Sequence, residues 1–363
     1  MDARECICLA ARQASLADTL EARREDLQEQ GVDHFPGHHR RRERSRELLT
    51  MALTQEANEI RNRRIGAALE LFFRLAQAEA AEGVLLSSQA ETRRVLDSTA
   101  AQLRRGLPVQ DAYDTLRRQE IDLRGKRQEL SRTVDRLNRA LTLATMGSST
   151  PDAGLIKPVV DWVVPLDIPD PEAAIAVGLE SRPQLLLLRA VVEASDADNM
   201  SLVDNILGTA DPLLAIQLPS PGPLPLLCLV SKLRREEPAS VGRGRDRARQ
   251  ILAWRERDVI EEIRDAALGV AAAVDKVVIA RERSEALSGE LDRVVARARR
   301  GLKSTAAVSS ARLAWLKARG EVVDEMIEWH IQSVKLAQAQ GVLIRSCSAC
   351  SPENRPGATD TPH

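Results

Sequence analysis

Cys347 and Cys350 form a Cys-x-x-Cys pair, the spacing at which two thiolates can share a zinc ion or cycle through a disulfide. The pair stands alone in a polar tail, with no second pair at zinc spacing and no strand-helix-strand context, so it reads as chemically neutral. Cys6 and Cys8, together with His34, His38 and His39, are metal-ligating types near a chain end. A flexible terminus does not fix a coordination geometry, and the same reading applies to them. Five cysteines, placed at the two ends plus Cys228, do not suggest a disulfide framework.

The remaining titratable candidates are the pair Glu261-Glu262 and the isolated His330. Both fall in helical patterns. There the acids read as solvated i,i+4 partners, and the histidine as a helix-surface or partly packed residue. Trp315 and Trp329 read as packing residues. The chain contains no Gly-rich phosphate loop, no nucleophile elbow and no His or carboxylate cluster. The sequence therefore argues against an enzyme, and no catalytic residue, metal site or cofactor is expected.

Composition excludes further classes. The net charge is −1, so no global field draws the protein onto nucleic acid. The basic run from His38 to Arg46 has no interleaved aromatics for base stacking and reads as a solvated face or linker, with no nucleic-acid partner expected. Aromatic residues make up 2% of a chain that is 44% hydrophobic, a composition suited to long helices packed through small side chains. The first thirty residues lack a basic n-region and an apolar h-region, so no secretory signal is visible, and no stretch approaches about eighteen uninterrupted apolar residues.

The elements that position these residues are legible from a repeated tetrapeptide. Arg-Arg-Gly-Leu occurs at Arg104–Leu107 and again at Arg299–Leu302, each time between long helical patterns. Ile65, Leu69, Phe72 and Ala76 mark an apolar stripe before the first, and Ile263, Ala267, Val270, Val274 and Val277 mark one before the second. After each tetrapeptide the repeat tightens to seven. Val109, Leu116, Leu123, Leu130, Leu137 and Ala144 form one seam; Val308, Trp315, Val322, Trp329, Leu336 and Leu343 form the other. Each returning helix ends at a glycine, Gly147 or Gly341. The two seams do not coincide when one repeat is laid on the other, as expected of helices with a neighbour on each side in a closed ring, although an antiparallel bundle could also show it. Glycine accepts the left-handed conformation that ends a helix, and Pro108 suits the start of the next, so each tetrapeptide marks a hairpin tip.

The fold class expected is mainly all-α: two tandem long helical hairpins with coiled-coil packing and at most a short β-hairpin around 213–230. Residues 1–42 are a poorly defined N-terminal segment and 43–147 the first hairpin repeat. Residues 148–170 are a linker, 171–204 connecting helices, and 205–246 a Pro-rich linker or rudimentary β-hairpin. Residues 247–344 are the second hairpin repeat and 345–363 a disordered tail.

With the tandem hairpins and their Gly-Leu tips in register, the helix that opens "LESRPQL" from Leu179 to Leu185 resembles the Arg-Pro-(acidic or amide)-Leu start of the second repeat in the TolC-type outer-membrane efflux protein family. "LNRALTLATMG" resembles that family's close of the first hairpin. The resemblance runs from roughly Ser45 to Gly341. It implies a TolC-like α-barrel protomer in a homotrimer whose hairpins form a tapering duct at the outer membrane and periplasm. The implied function is passive efflux with a periplasmic adaptor and an inner-membrane pump. It also implies adaptor docking at the tip positions Arg105, Gly106, Leu107, Arg300, Gly301 and Leu302, and a structural repeat-start motif at Arg182, Pro183 and Leu185. Arginine stands in both tips where the family often has valine, so the adaptor contact would be more basic than usual. Family members also place two transmembrane strands ahead of each long helix. The region before Glu43 shows no alternation, and Leu213–Val230 offers at most two short proline-rich runs. The alternative function is a structural coiled-coil scaffold without a duct.

Overall fold

Alanine, leucine, arginine and glutamate run almost unbroken on either side of each Arg-Arg-Gly-Leu, and they form helices of unusual length. The structure, a computed structural model, describes residues 1–29, 39–147, 155–165, 167–196, 199–209 and 238–346. In order the helices are α1 Ala3–Arg12, α2 Ser15–Glu29, α3 His39–Arg104, α4 Gln110–Met146, α5 Pro171–Ser181, α6 Pro183–Glu193, α7 Met200–Thr209, α8 Pro238–Arg299 and α9 Thr305–Gln340, followed by a 3-10 turn at Leu343–Ser346. No strand occurs among the described residues. The expected β-hairpin at 213–230, the Cys-x-x-Cys pair, Cys228, His34 and His38 lie outside them.

α3 has 66 residues, about 100 Å at 1.5 Å per residue. It stops at Arg104 because Gly106 takes φ +77°, a conformation costly to any residue with a Cβ. The Gly106 N–H donates to the Leu103 carbonyl at 2.9 Å and the Leu107 N–H to the Gln102 carbonyl at 3.2 Å, satisfying two of the last carbonyls. The second tip repeats this pair of bonds. Gly301, also at φ +77°, donates to Ala298 at 2.9 Å, and Leu302 donates to Arg297 at 2.9 Å. α9 then starts under a cap, the Ser304 hydroxyl accepting from the Ala307 N–H at 3.2 Å.

α4 packs back on α3, α9 packs back on α8, and α3 and α9 join the two hairpins. Asn62 reaches Gln338, Arg74 reaches Glu328, Gln77 reaches Asp324 and Glu91 reaches Arg312, so α3 and α9 run antiparallel in constant register. Continuing that register puts Gly106 level with residues just before Gly301. The two tips therefore share one end of the molecule, within roughly 10 Å of each other along the axis. The layer order is α4–α3–α9–α8, with α4 and α8 at its edges and not packed on each other. All six positions of the seam from Val109 to Ala144 are half-buried; the first four lie between exposed neighbours, whereas Leu137 and Ala144 adjoin the buried Asn138 and Thr145. Ile121 on α4, with Leu268 and Ile279 on α8, stands exposed on these edge helices.

The core lies toward the end away from the tips. Ile65, Leu69, Phe72, Phe73 and Leu75 of α3 pack with Leu141 of α4, Ile327 and Ile331 of α9, and α1. A second cluster joins α5, Leu185 of α6, and Val259, Ile263, Ala267 and Val270 of α8.

Several boundaries differ from the sequence reading. The segment expected to be poorly defined carries α1 and α2, both packed on α3. Asp2 caps α1, and Cys6, Ile7, Ala10 and Ala11 bury one face of it; that stripe is short and made of small side chains, so its periodicity is weak. α3 begins at His39 rather than Glu43. α8 begins at Pro238, so the last residues assigned to the Pro-rich linker are helical, with proline at the first position, where its missing N–H costs nothing.

Candidate functional site

The tip residues come to one end of the molecule as two matching caps. Arg104, Arg105, Leu107, Arg299, Arg300, Leu302 and Lys303 are all exposed. Open space surrounds the position where a Cβ would stand on either glycine. Leu107 and Leu302 occupy the same place in the two caps and are 48% and 70% exposed.

The repeat-start residues lie elsewhere, where α5 and α6 meet the base of the second hairpin. Pro183 is the first residue of α6 and Leu185 is fully buried against α8. Arg182, between the two short helices, keeps 8% of its side chain exposed. Its guanidinium donates to the carbonyl of Ala339 in the last turn of α9 and pairs with Glu262 of α8 at 2.8 Å. A cation at a helix C-terminus offsets the partial negative charge of the last carbonyls. Gly341, at φ +76°, lets the chain pass so close that an added Cβ would sit 2.9 Å from Pro183 Cδ and 3.1 Å from Arg182 Cα. The motif thus ties the start of the connecting helix to the end of the second repeat.

Two structural ion pairs, one at this base and one nearer the tips, were not legible from the sequence. Glu262 is not merely a solvated helix-face acid: it pairs with Arg182 and also with Arg255, at 3.5 Å. Glu91 of α3 accepts hydrogen bonds from Ser309 and Arg312 of α9, holding the hairpins together on the tip side of the core. Burial alone would raise the Glu91 carboxyl, but the bonds from Ser309 and Arg312, with the charges of Arg312 and Arg94, hold it below its ordinary value. Both contacts join residues far apart in sequence, and the only signal was an acid lying in an otherwise packed helix face.

His330 stacks on Phe73 with ring centroids 4.7 Å apart, and its Nε2 lies 3.0 Å from the Asp161 carbonyl. Trp329 packs against the α5–α8 cluster, and Arg319 lies over the Trp315 ring at 5.7 Å. Among the described residues no three His, Cys, Asp or Glu side chains are grouped to hold a metal ion. Two clefts among the described residues are open and about 300 Å³ each. In one of them Arg182, Glu262, Asn62 and Gln338 are engaged with structural partners. No helix among the described residues is long and apolar enough to cross a membrane. The arrangement places two exposed, basic caps at the tips and structural ties at the base.

No family model matches the sequence, and no curated protein matches it. Solved structures do. The Campylobacter jejuni CmeC outer membrane channel aligns with a TM-score of 0.65 at 13% identity, over 93% of this chain and 85% of that one. The outer-membrane channel OprN aligns with a TM-score of 0.63 at 14% identity, over 93% and 90%. The open state of the Neisseria gonorrhoeae MtrE outer membrane channel aligns with a TM-score of 0.58 at 12% identity, over 93% and 88%. The likeness establishes the architecture: this chain has the tandem-hairpin, TolC-type fold of those channels.

Proposed function

We propose that the chain is one protomer of a trimeric α-helical duct at the outer membrane, a passive conduit for efflux or export that works with a periplasmic adaptor and an inner-membrane pump. The observation that carries this reading is the open-edged layer α4–α3–α9–α8, in which every packed neighbour pair is antiparallel and both tips share one end. An α4 edge meeting the α8 edge of a second copy would continue the same antiparallel alternation. Such a head-to-tail contact closes into a ring when the rotation per subunit divides a full turn. The exposed Ile121, Leu268 and Ile279 on the edge helices favour that contact over a solvated surface.

The proposal has no catalytic step, in keeping with neighbours that are themselves channels. Arg105, Gly106, Leu107, Arg300, Gly301 and Leu302 form the docking end, and Arg182, Pro183 and Leu185 brace the opposite half.

Negative-stain microscopy of the purified full chain tests the reading. A hollow tube with three-fold symmetry is expected. An elongated rod-shaped monomer or dimer in solution scattering would overturn it in favour of a coiled-coil scaffold.

A further inference from the structure

The cleft lined by Asn62 and Arg182 lies at the base of the molecule, where α3, α8, α9 and the junction of α5 with α6 meet, and it has about 300 Å³. Three of its side chains are tied down at one polar atom and carry an unpartnered one beside it. Asn62, 1% exposed, donates from Nδ2 to the Gln338 carbonyl at 2.9 Å, and its Oδ1 has no partner among the described residues. Glu59, also buried, accepts the Arg63 Nε–H at Oε1 over 2.7 Å, and its Oε2 has none. Arg182 uses its two terminal nitrogens on Ala339 and Glu262, and its Nε–H has none. Buried polar groups are paired as a rule, because an unpaired one loses its hydration with nothing in exchange. Two acceptors and one donor, each on a side chain fixed by a structural bond, thus form a prearranged set in one cleft.

Charge narrows what fits that set. Arg63, Arg182 and Lys335 line the cleft with Glu59 and Glu262, and Glu262 is already held by Arg182 and Arg255. Lys335 is exposed at the cleft. A metal cation would meet the Arg182 N–H and more positive than negative side chains. An inorganic anion would meet the lone oxygens of Glu59 and Asn62, which repel it. A molecule with an ammonium group at one end and a carboxylate at the other meets neither obstacle, because the ammonium donates to the two oxygens while the carboxylate accepts from Arg182 Nε and pairs with Lys335.

From these features we infer that the cleft binds a small zwitterion, a free α-amino acid, with its ammonium on Glu59 and Asn62 and its carboxylate on Arg182 and Lys335. The bound molecule bridges α3 to α9 and to the α5–α6 junction, and so stabilises the joint at the base. The site is formed within one chain, away from the tips, and does not depend on the duct reading.

Isothermal titration calorimetry of the full chain with glycine tests this, with methylamine, acetate, acetamide and inorganic phosphate as comparison probes. Glycine should bind about tenfold more tightly than any of them, since none carries both charged ends. Lys335→Gln and Glu59→Gln should each weaken glycine binding by about tenfold. Glycine should also raise the melting temperature of the parent more than that of either variant. Lys335 is exposed, so without ligand the Lys335→Gln variant should melt with the parent and report on binding with the fold intact. No glycine binding by the parent, equal binding of acetamide or phosphate, or full glycine affinity in Lys335→Gln overturns the inference.

Discussion

Glu91 of the first hairpin and Arg312 of the second meet at 3.0 Å, with the Glu91 side chain only 7% exposed. Replacing Glu91 with Gln keeps the shape but removes the charge that holds Arg312, and should destabilise the chain by about 1–2 kcal/mol at neutral pH. The folded-state carboxyl titrates below its ordinary value of 4.5. Its contribution is therefore complete above that value and is lost as pH falls through the lower folded value. Thermal melts of the parent and the variant should differ at pH 7 and converge toward pH 3. A gap of equal size at both pH values would contradict the assignment.

Gly106 and Gly341 share a left-handed backbone but not their surroundings. At Gly106 an added methyl meets open space, so Gly106→Ala should cost only the conformational penalty, about 1–2 kcal/mol. At Gly341 the same methyl would press on Pro183 and the Arg182 backbone, so Gly341→Ala should cost distinctly more. Urea midpoints of the two variants give the comparison.

His330 is driven toward its neutral form by burial, which outweighs the opposing hydrogen bond to the Asp161 carbonyl and the Asp161 charge, so its folded value lies below the ordinary 6.5. A histidine of lowered folded value binds more protons when unfolded. Its share of stability is full above 6.5 and declines as pH drops through the folded value. His330→Phe retains the stack on Phe73, and the slope of stability between pH 6.5 and 5 should flatten.

The Cys6 thiol is fully buried in the α1 contact, and burial, with a smaller contribution from Glu5, pushes it up to about 12. In the folded protein at pH 8, iodoacetamide should label Cys8 well before Cys6, as read by peptide mass mapping. Equal rates would mean that α1 is not held against α3.

The hairpins, their tips and the four-helix core of the fold were legible because they are written in local signals: a glycine at each reversal and apolar residues at helical and heptad spacing. α1 and α2 were not, because Cys6, Ala10, Ala11, Ala14 and Ala17 bury little area each and give a faint stripe. Contacts such as Glu91 with Arg312 or Arg182 with Glu262 escaped for another reason. Each pairs charged residues that look solvated when taken singly, and only the register between α3 and α9, or between α6 and α8, makes them neighbours. The reversals at Gly106 and Gly301 were legible, whereas their approach at one end of the molecule follows only from the register between α3 and α9.

Large apolar side chains fill the joint between the hairpins around Phe72 and Ile331, while toward the glycines Glu91, Ser309 and Arg312 tie it together. Cohesion therefore fades along the molecule. Amide protons beside Phe72 should be the slowest to exchange and those near residue 100 among the fastest. The protein is built like a tuning fork, rigid at the stem and compliant at the prongs, so a pull applied at the prongs would be taken up there before it reached the stem.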